Sequence, residues 1–349
     1  MGKKLQLLKR LLFILFLLFS MLEAKEFKQI QQWKHGDQEF YDGITYATVD
    51  KDNHLVVGFG GRVGWRVITP THIKSFGPTG QGPSDLYMVM AMCPFNDDLA
   101  FIQMGYSIKI FTKKNGNYEW KETRWLKRDY YPHIVRDALF LDNKWFLAGL
   151  NFLDIKGEKN HVNLLKVFNS DCKPAANLLE EWHDKTKNYG NMSFYIVSHN
   201  NSVFILSENN LKAYEISINQ LKLIKEWQLE APSFYKKMPD DFYDLGKMGE
   251  DNQTFGNNIF KWRTGYSRIT KVTLEEGYLV LQLRTCNPSL KKFALLFYNV
   301  ETMKLEHTIF IDDYFLASRD GKYYFYANGV PDEDEDTDNC TINIYAFTK

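Results

Sequence analysis

The sequence predicts an all-β, six-bladed β-propeller, and three observations predict it. First, an apolar strand-like segment recurs six times, at Leu55–Phe59, Leu99–Gln103, Trp145–Ala148, Val203–Leu206, Tyr278–Leu283 and Tyr323–Ala327, each after a polar turn. Second, the segment starts are 44, 46, 58, 75 and 45 residues apart, and strands repeating near 45 residues are the sequence form of a propeller blade. Third, the last repeat stops one strand short, at Lys349, while a segment of outer-strand type lies near the N-terminus.

The chain opens with the pattern of an export signal. Lys3, Lys4, Lys9 and Arg10 precede the apolar run Leu11–Leu22, which is too short for the roughly 20 residues a spanning helix needs. Ala24 offers a small residue at a cleavage point, although Leu22 two places earlier meets the small-x-small rule only by half; an uncleaved anchor is the alternative. Residues 1–24 are therefore read as a signal peptide and 25–349 as the propeller, in the periplasm or secreted.

Without the leader the chain carries 39 basic against 42 acidic residues, which excludes the strongly basic face that nucleic acid requires. No later run is apolar for long enough to span a membrane as a helix. The 26 Phe, 20 Tyr and 8 Trp suit strands and supply large buried faces. A monomer is expected.

Within each repeat the innermost strands are expected at Tyr46–Val49, Val89–Cys93, Ala138–Leu141, Phe194–Val197, Ile269–Leu274 and Phe315–Ala317. Third strands follow at Trp65–Thr69, Ile108–Thr112, Leu164–Phe168, Leu211–Ile216, Ala294–Val300 and Ile342–Phe347. Apolar and polar residues alternate in Ile108-Lys109-Ile110 and Ile342-Asn343-Ile344, as in strands covered unequally on their two faces. Outer strands are expected at His72–Phe76, Tyr118–Trp125, Leu178–Trp182, Leu221–Leu229 and Leu305–Ile311. Phe27–Trp33 then supplies the missing strand of the sixth blade and closes the ring, which removes the open edges. Two repeats are stretched, by a loop at Asn151–Val162 and an aromatic-rich insertion around Pro232–Arg268.

The first blade junction reads Phe76-Gly77-Pro78-Thr79-Gly80-Gln81-Gly82-Pro83-Ser84-Asp85-Leu86-Tyr87, and Trp33–Phe40 is a weaker copy. This motif resembles the blade junctions of six-bladed TolB-like and NHL-like propellers of bacterial envelope or secreted proteins. The resemblance implies the fold and the compartment rather than a reaction. Freed amides in such a loop can bind an anion, but the phosphate-loop context of strand, Gly-Lys-Ser/Thr and helix is missing, so a structural turn is the preferred reading.

Junctions from outer to next inner strand return to the mouth of the central channel. They are expected to present Asp42, Asp85, Tyr130, Tyr131, His133, Arg136, Tyr189, Lys261, Trp262 and Arg263, the equipment of a polar-ligand or peptide site. No zinc-helix, nucleophile-elbow or paired Cys-x-x-Cys motif is present. The leading expectation is a binding module for a peptide, glycan or protein, rather than an enzyme. The alternatives are a metal-dependent propeller hydrolase or lyase with ligands from several blades, Asp137 among them, and a structural partner in an envelope complex.

No cofactor is expected, with calcium or another divalent ion at the acidic run Pro331–Asn339 as the exception. Asp332, Asp334 and Asp336 resemble the start of a calcium loop, but Gly at the sixth position and Glu at the twelfth are missing, which favours a solvated loop. Cys286 and Cys340 fall in equivalent loops of neighbouring blades and are candidates for a disulfide in an oxidising compartment.

Overall fold

Tight turns between strands of four to eleven residues force the chain into antiparallel meanders. The structure is a computed structural model that describes residues 26–35, 44–59, 64–130, 134–150, 159–184, 193–239, 264–327 and 340–348. The export signal, the acidic run at 331–339 and most of the 232–268 insertion lie outside the described residues. Among those described, no helix is long and apolar enough to cross a membrane.

The N-terminal strand is β1 (Glu26–His35). Blade one is β2 (Ile44–Val49), β3 (Leu55–Phe59), β4 (Trp65–Ile68) and β5 (Ile73–Phe76). Blade two is β6 (Val89–Phe95), β7 (Asp98–Gln103), β8 (Ser107–Lys114) and β9 (Asn117–Trp125). Blade three is β10 (Ile134–Leu141), β11 (Lys144–Leu150), β12 (Lys159–Asn169) and β13 (Pro174–Asp184). Blade four is β14 (Phe194–His199), β15 (Ser202–Ser207), β16 (Lys212–Ser217) and β17 (Lys222–Gln228). Blade five is β18 (Arg268–Glu275), β19 (Tyr278–Arg284), β20 (Phe293–Asn299) and β21 (Leu305–Ile311). Blade six is β22 (Tyr314–Arg319), β23 (Lys322–Tyr326), β24 (Cys340–Thr348) and then β1.

The sheet order β1-β24-β23-β22 shows the ring closed by the N-terminal strand, as the sequence predicts. One residue of irregularity makes that strand serve two interfaces. Phe27 and Trp33 are six apart and would share a face of a regular strand. A bulge between Gln29 and Gln31 shifts the register, so Phe27 pairs with Phe347 and Trp33 with Ile342. Phe27 then stacks on Tyr345 at 5.3 Å in the core between blades five and six, while Trp33 enters the core shared with blade one.

The hairpin turns carry the backbone the polar residues allow. Asn53, Asn96 and Asn200 take positive φ, and so do both residues of the two-residue turn Asp142–Asn143. Most strands extend a residue or more beyond their expected bounds, the inner strand of blade three by four, since it begins at Ile134 rather than Ala138; two other boundaries have a visible cause. β5 starts one residue late, at Ile73, because Thr69 and His72 close a turn through the Thr69 hydroxyl and backbone. β12 starts at Lys159, so part of the loop expected at Asn151–Val162 is strand paired with β13. The 232–268 insertion leaves the ring through a closed stem: Ser267 N donates to Lys236 O and Lys236 N to Ser267 Oγ, both at 3.0 Å.

The expected Cys286–Cys340 disulfide is not formed, and all four cysteines are free. Strand alternation explains it. Cys340, Ile342 and Ile344 share the face of β24 that packs on blade one, whereas Cys286 follows β19 in blade five and lies 3.9 Å from Ser267 Oγ. The two thiols therefore lie on opposite sides of blade six's sheet.

Candidate functional site

The innermost strands β2, β6, β10, β14, β18 and β22 line the channel, and a cavity of about 270 Å³ opens where they begin. Every blade contributes to it. In blades one, two, three and five the inner strand carries a bulge there, at Thr45, Met90, Arg136 and Thr270. A bulge re-aims side chains and leaves ladder groups unpaired. All four bulged residues line the cavity.

Side chains from neighbouring blades meet the groups freed at these bulges. Tyr46 Oη donates to Val89 O at 2.8 Å, and Tyr195 Oη donates to Ile269 O at 3.0 Å. The Asp137 carboxylate accepts from Ala138 N and, across the blade boundary, from Ile196 N, both at 2.9 Å. Gln282, fully buried, accepts from Phe315 N and Thr270 Oγ1 at 3.0 Å and donates to Asp313 O at 2.9 Å. The mouth is thus braced by hydrogen bonds from blade to blade, a rigid frame for whatever charge it holds.

That charge is cationic among the described lining residues: Arg136, Arg268, Lys271 and Arg284 against Asp137 and Glu208. Arg268 and Arg284 are directly opposite each other in the β18–β19 ladder. Like charges in that relation repel. Glu208, buried on the adjoining blade, approaches Arg268 at 4.0 Å. Burial pushes the Asp137 carboxyl up to about 6, against the opposing pull of its two backbone hydrogen bonds and of Lys271. Burial also lowers Lys271 from the ordinary lysine range, partly offset by Asp137. Tyr46 and Tyr195 are held in the phenol form by burial. A site of this kind attracts an anion and, below about pH 6, carries one negative charge fewer.

Of the residues expected at the mouth, Arg136 lies there. Asp85 and Tyr130 do not. Asp85 closes its own turn, accepting from Gly82 N at 2.8 Å, and a Cβ on Gly80 would run into its carboxylate. Buried Lys109 of β8 grips that turn, donating to Gly82 O at 2.7 Å and to Asp85 O. The glycine-rich junction is therefore a structural turn, as the missing phosphate-loop context suggests. Tyr130 lies between blades two and three, edge-on to Phe168 at 5.1 Å and over the buried Lys166 ammonium at 4.7 Å. Asp42, Tyr131, His133, Tyr189, Lys261, Trp262 and Arg263 lie outside the described residues. Sequence reasoning missed Glu208, Arg268, Lys271 and Arg284. For Arg268 and Lys271 the available signal was charge at the start of an otherwise apolar inner strand, Arg268-Ile269-Thr270-Lys271; Glu208 and Arg284 stand at the ends of second strands, where a polar residue is ordinary.

Among the described residues, one group of carboxylates and histidine has metal-ligand proximity, Asp50, Asp52 and His54. Lys113 fills it: its ammonium donates to Asp50 Oδ2 and Asp52 Oδ2 at 2.7 Å and lies 2.9 Å from His54 Nδ1. Tyr118 Oη adds a bond to Asp50 Oδ2 at 3.0 Å. This cluster ties blade one to blade two.

No family model matches the sequence, and no curated protein matches it. Solved structures do. A Bacteroides fragilis protein described as exported superposes with a TM-score of 0.60 at 14% identity, covering 93% of this chain and 95% of that one. A member of the DUF4221 family from Bacteroides vulgatus gives 0.57 at 11% identity, covering 93% and 98%. At such identities the likeness shows the six-bladed fold, along nearly the whole of all three chains.

Proposed function

We propose that this chain is an exported binding module whose channel mouth takes an anionic group of a peptide or acidic glycan. The carrying observation is the pair Arg268 and Arg284, opposed across one ladder and accompanied by Arg136 and Lys271 in a single cavity. The planar guanidinium fork suits bidentate recognition of a carboxylate or sulfate at such a mouth. Export, to the periplasm or outside the cell, is supported by the leader pattern and by the structural neighbour described as exported. Kinship with TolB-like or NHL-like propellers is supported by the 76–87 junction and the closed six-blade ring.

Sulfate, and separately a tripeptide with a free C-terminal carboxylate, would be titrated calorimetrically at constant ionic strength. Saturable binding that weakens at least about tenfold in Arg284→Gln is expected. No saturable heat from either probe up to about 10 mM would overturn the reading.

A further inference from the structure

We infer that the channel mouth and a stripe of exposed apolar side chains on blade two form one site for the C-terminal end of a polypeptide. The terminal carboxylate enters the cavity, and the apolar side chains before it lie on the stripe. This rests on the anion reading of the mouth and adds a surface which that reading does not use.

The stripe lies at the end of blade two where the channel opens. Tyr87 and Met88 lead into β6, Met104 follows the end of β7, and Trp125 ends β9. They are 45%, 53%, 51% and 70% exposed, and among the described residues none of them joins a core between blades. Backbone and register make them neighbours. Met104 N donates to Met88 O and Gln103 Nε2 to Tyr87 O, both at 3.1 Å. Gln103 is opposite Ser107, and Ser107 is opposite Trp125. The Trp125 ring therefore leaves the sheet on the face where Gln103 holds Tyr87.

Met88 supplies a second, independent observation. Its φ of 45° is in the left-handed region that favours glycine. Among the described residues five other apolar side chains stand at positive φ: Tyr106, Cys172, Leu179, Leu221 and Met303. Each of those packs into a core, and burial compensates the strain. Met88 has the strain without the burial. Glycine or asparagine would serve the fold better there, so the side chain is accounted for by what it meets outside the chain.

The shape of the mouth selects the occupant. Its charged lining residues come from blades three, four and five, whereas blades one and two supply Ile44, Ala47, Met90 and Met92. The apolar side of the cavity is thus the side that continues through Val89 to the stripe. From β6 to β9 the stripe crosses about 14 Å, which an extended chain covers in roughly four residues. A carboxylate preceded by apolar side chains matches that sequence of surfaces. A fatty acid matches it less well, because an acyl chain on an open stripe leaves much of its apolar area in water. Unbranched methionine adapts to differently shaped partners, so the site selects apolar residues rather than one sequence.

Three acetylated hexapeptides would be titrated calorimetrically beside sulfate: an acid with Leu and Phe at alternate positions, its C-terminal amide, and a Gly-Ser acid. The apolar acid is expected to bind at least about tenfold more tightly than either of the others. Met88→Asn, which suits the left-handed backbone, and separately Trp125→Ser should each reduce that preference at least about threefold. Both should leave sulfate affinity and the melting temperature unchanged, whereas Arg284→Gln should weaken sulfate and the apolar acid together. Sulfate binding with equal affinity for the two acids would overturn the shared site and leave the anion reading standing. Equal affinity for acid and amide, or a preference that both stripe variants retain, would overturn it too. No saturable binding of sulfate or any peptide would overturn both readings. Self-association lost in Met88→Asn, with no preference among peptides, would reassign the stripe to contact between copies.

Discussion

Lys109 shows how a single residue can be legible in position and not in role. Its place in Ile108-Lys109-Ile110 reads as the solvent-facing member of an alternating strand, yet it is 7% exposed. The chain preceding its own blade folds back over it, and two backbone carbonyls there accept its protons. Lys166 occupies the equivalent register in blade three, opposite Leu147 as Lys109 is opposite Phe101, and is capped by the Tyr130 ring. Alternation specifies which side of a strand a residue occupies; it does not say that a junction distant along the chain will cover that side. Lys109→Met keeps the volume and strands the Gly82 and Asp85 carbonyls. It should therefore cost about 1–3 kcal/mol in urea unfolding, with the m-value unchanged. A loss under about 0.5 kcal/mol would show that the turn relaxes to water instead.

At the level of elements, the strands were the readable part. The inner hairpins were placed to within two residues at their turns, which are bounded by Asn, Asp and Gly with positive φ, but not at the mouth end, where β10 begins at Ile134 rather than Ala138. The bulges were not readable, because Thr45, Met90, Arg136 and Thr270 carry no sequence mark of a skipped pairing. Since those bulges aim side chains into the cavity, the site was less legible than the scaffold. The closing strand β1 is a test of both. Most of it is exposed, so its hold on the ring is concentrated in Trp33, half-buried Phe27 and the amides of Gln29 and Gln32, which donate to Asn343 Oδ1. Trp33→Ala empties a site in the core shared by blades six and one and should cost about 3–5 kcal/mol by chemical denaturation. Ile30→Ala, at the exposed bulge, should change stability by less than about 0.5 kcal/mol. Equal effects would mean that closure does not depend on the Trp33 anchor.

The channel mouth belongs to the whole molecule, because no blade alone supplies its charge. Arg136 and Asp137 come from blade three, Glu208 from blade four, and Arg268, Lys271 and Arg284 from blade five. Asp137 faces Lys271 and is the group that titrates in the accessible range, with its carboxyl raised by burial from 3.8 to about 6. Below that pH it is neutral, and Glu208 is the remaining carboxylate among the described residues that line the cavity. As pH rises through about 6 the carboxylate appears; the lowered pKa of Lys271 shifts any loss of its positive charge in the same direction. Both changes disfavour an anionic ligand. Sulfate is the suitable probe, since it does not itself titrate between pH 5 and pH 7. Its affinity should fall on the order of tenfold across that interval, the scale of one extra charge a few ångströms away. Linkage requires the converse: sulfate binding near pH 6 should take up a proton, visible as a binding heat that depends on the buffer's ionisation enthalpy. Asp137→Asn should flatten the pH profile and abolish the proton uptake. Affinity that stays level from pH 5 to pH 7 in the unmodified protein would remove Asp137 from the ligand's surroundings.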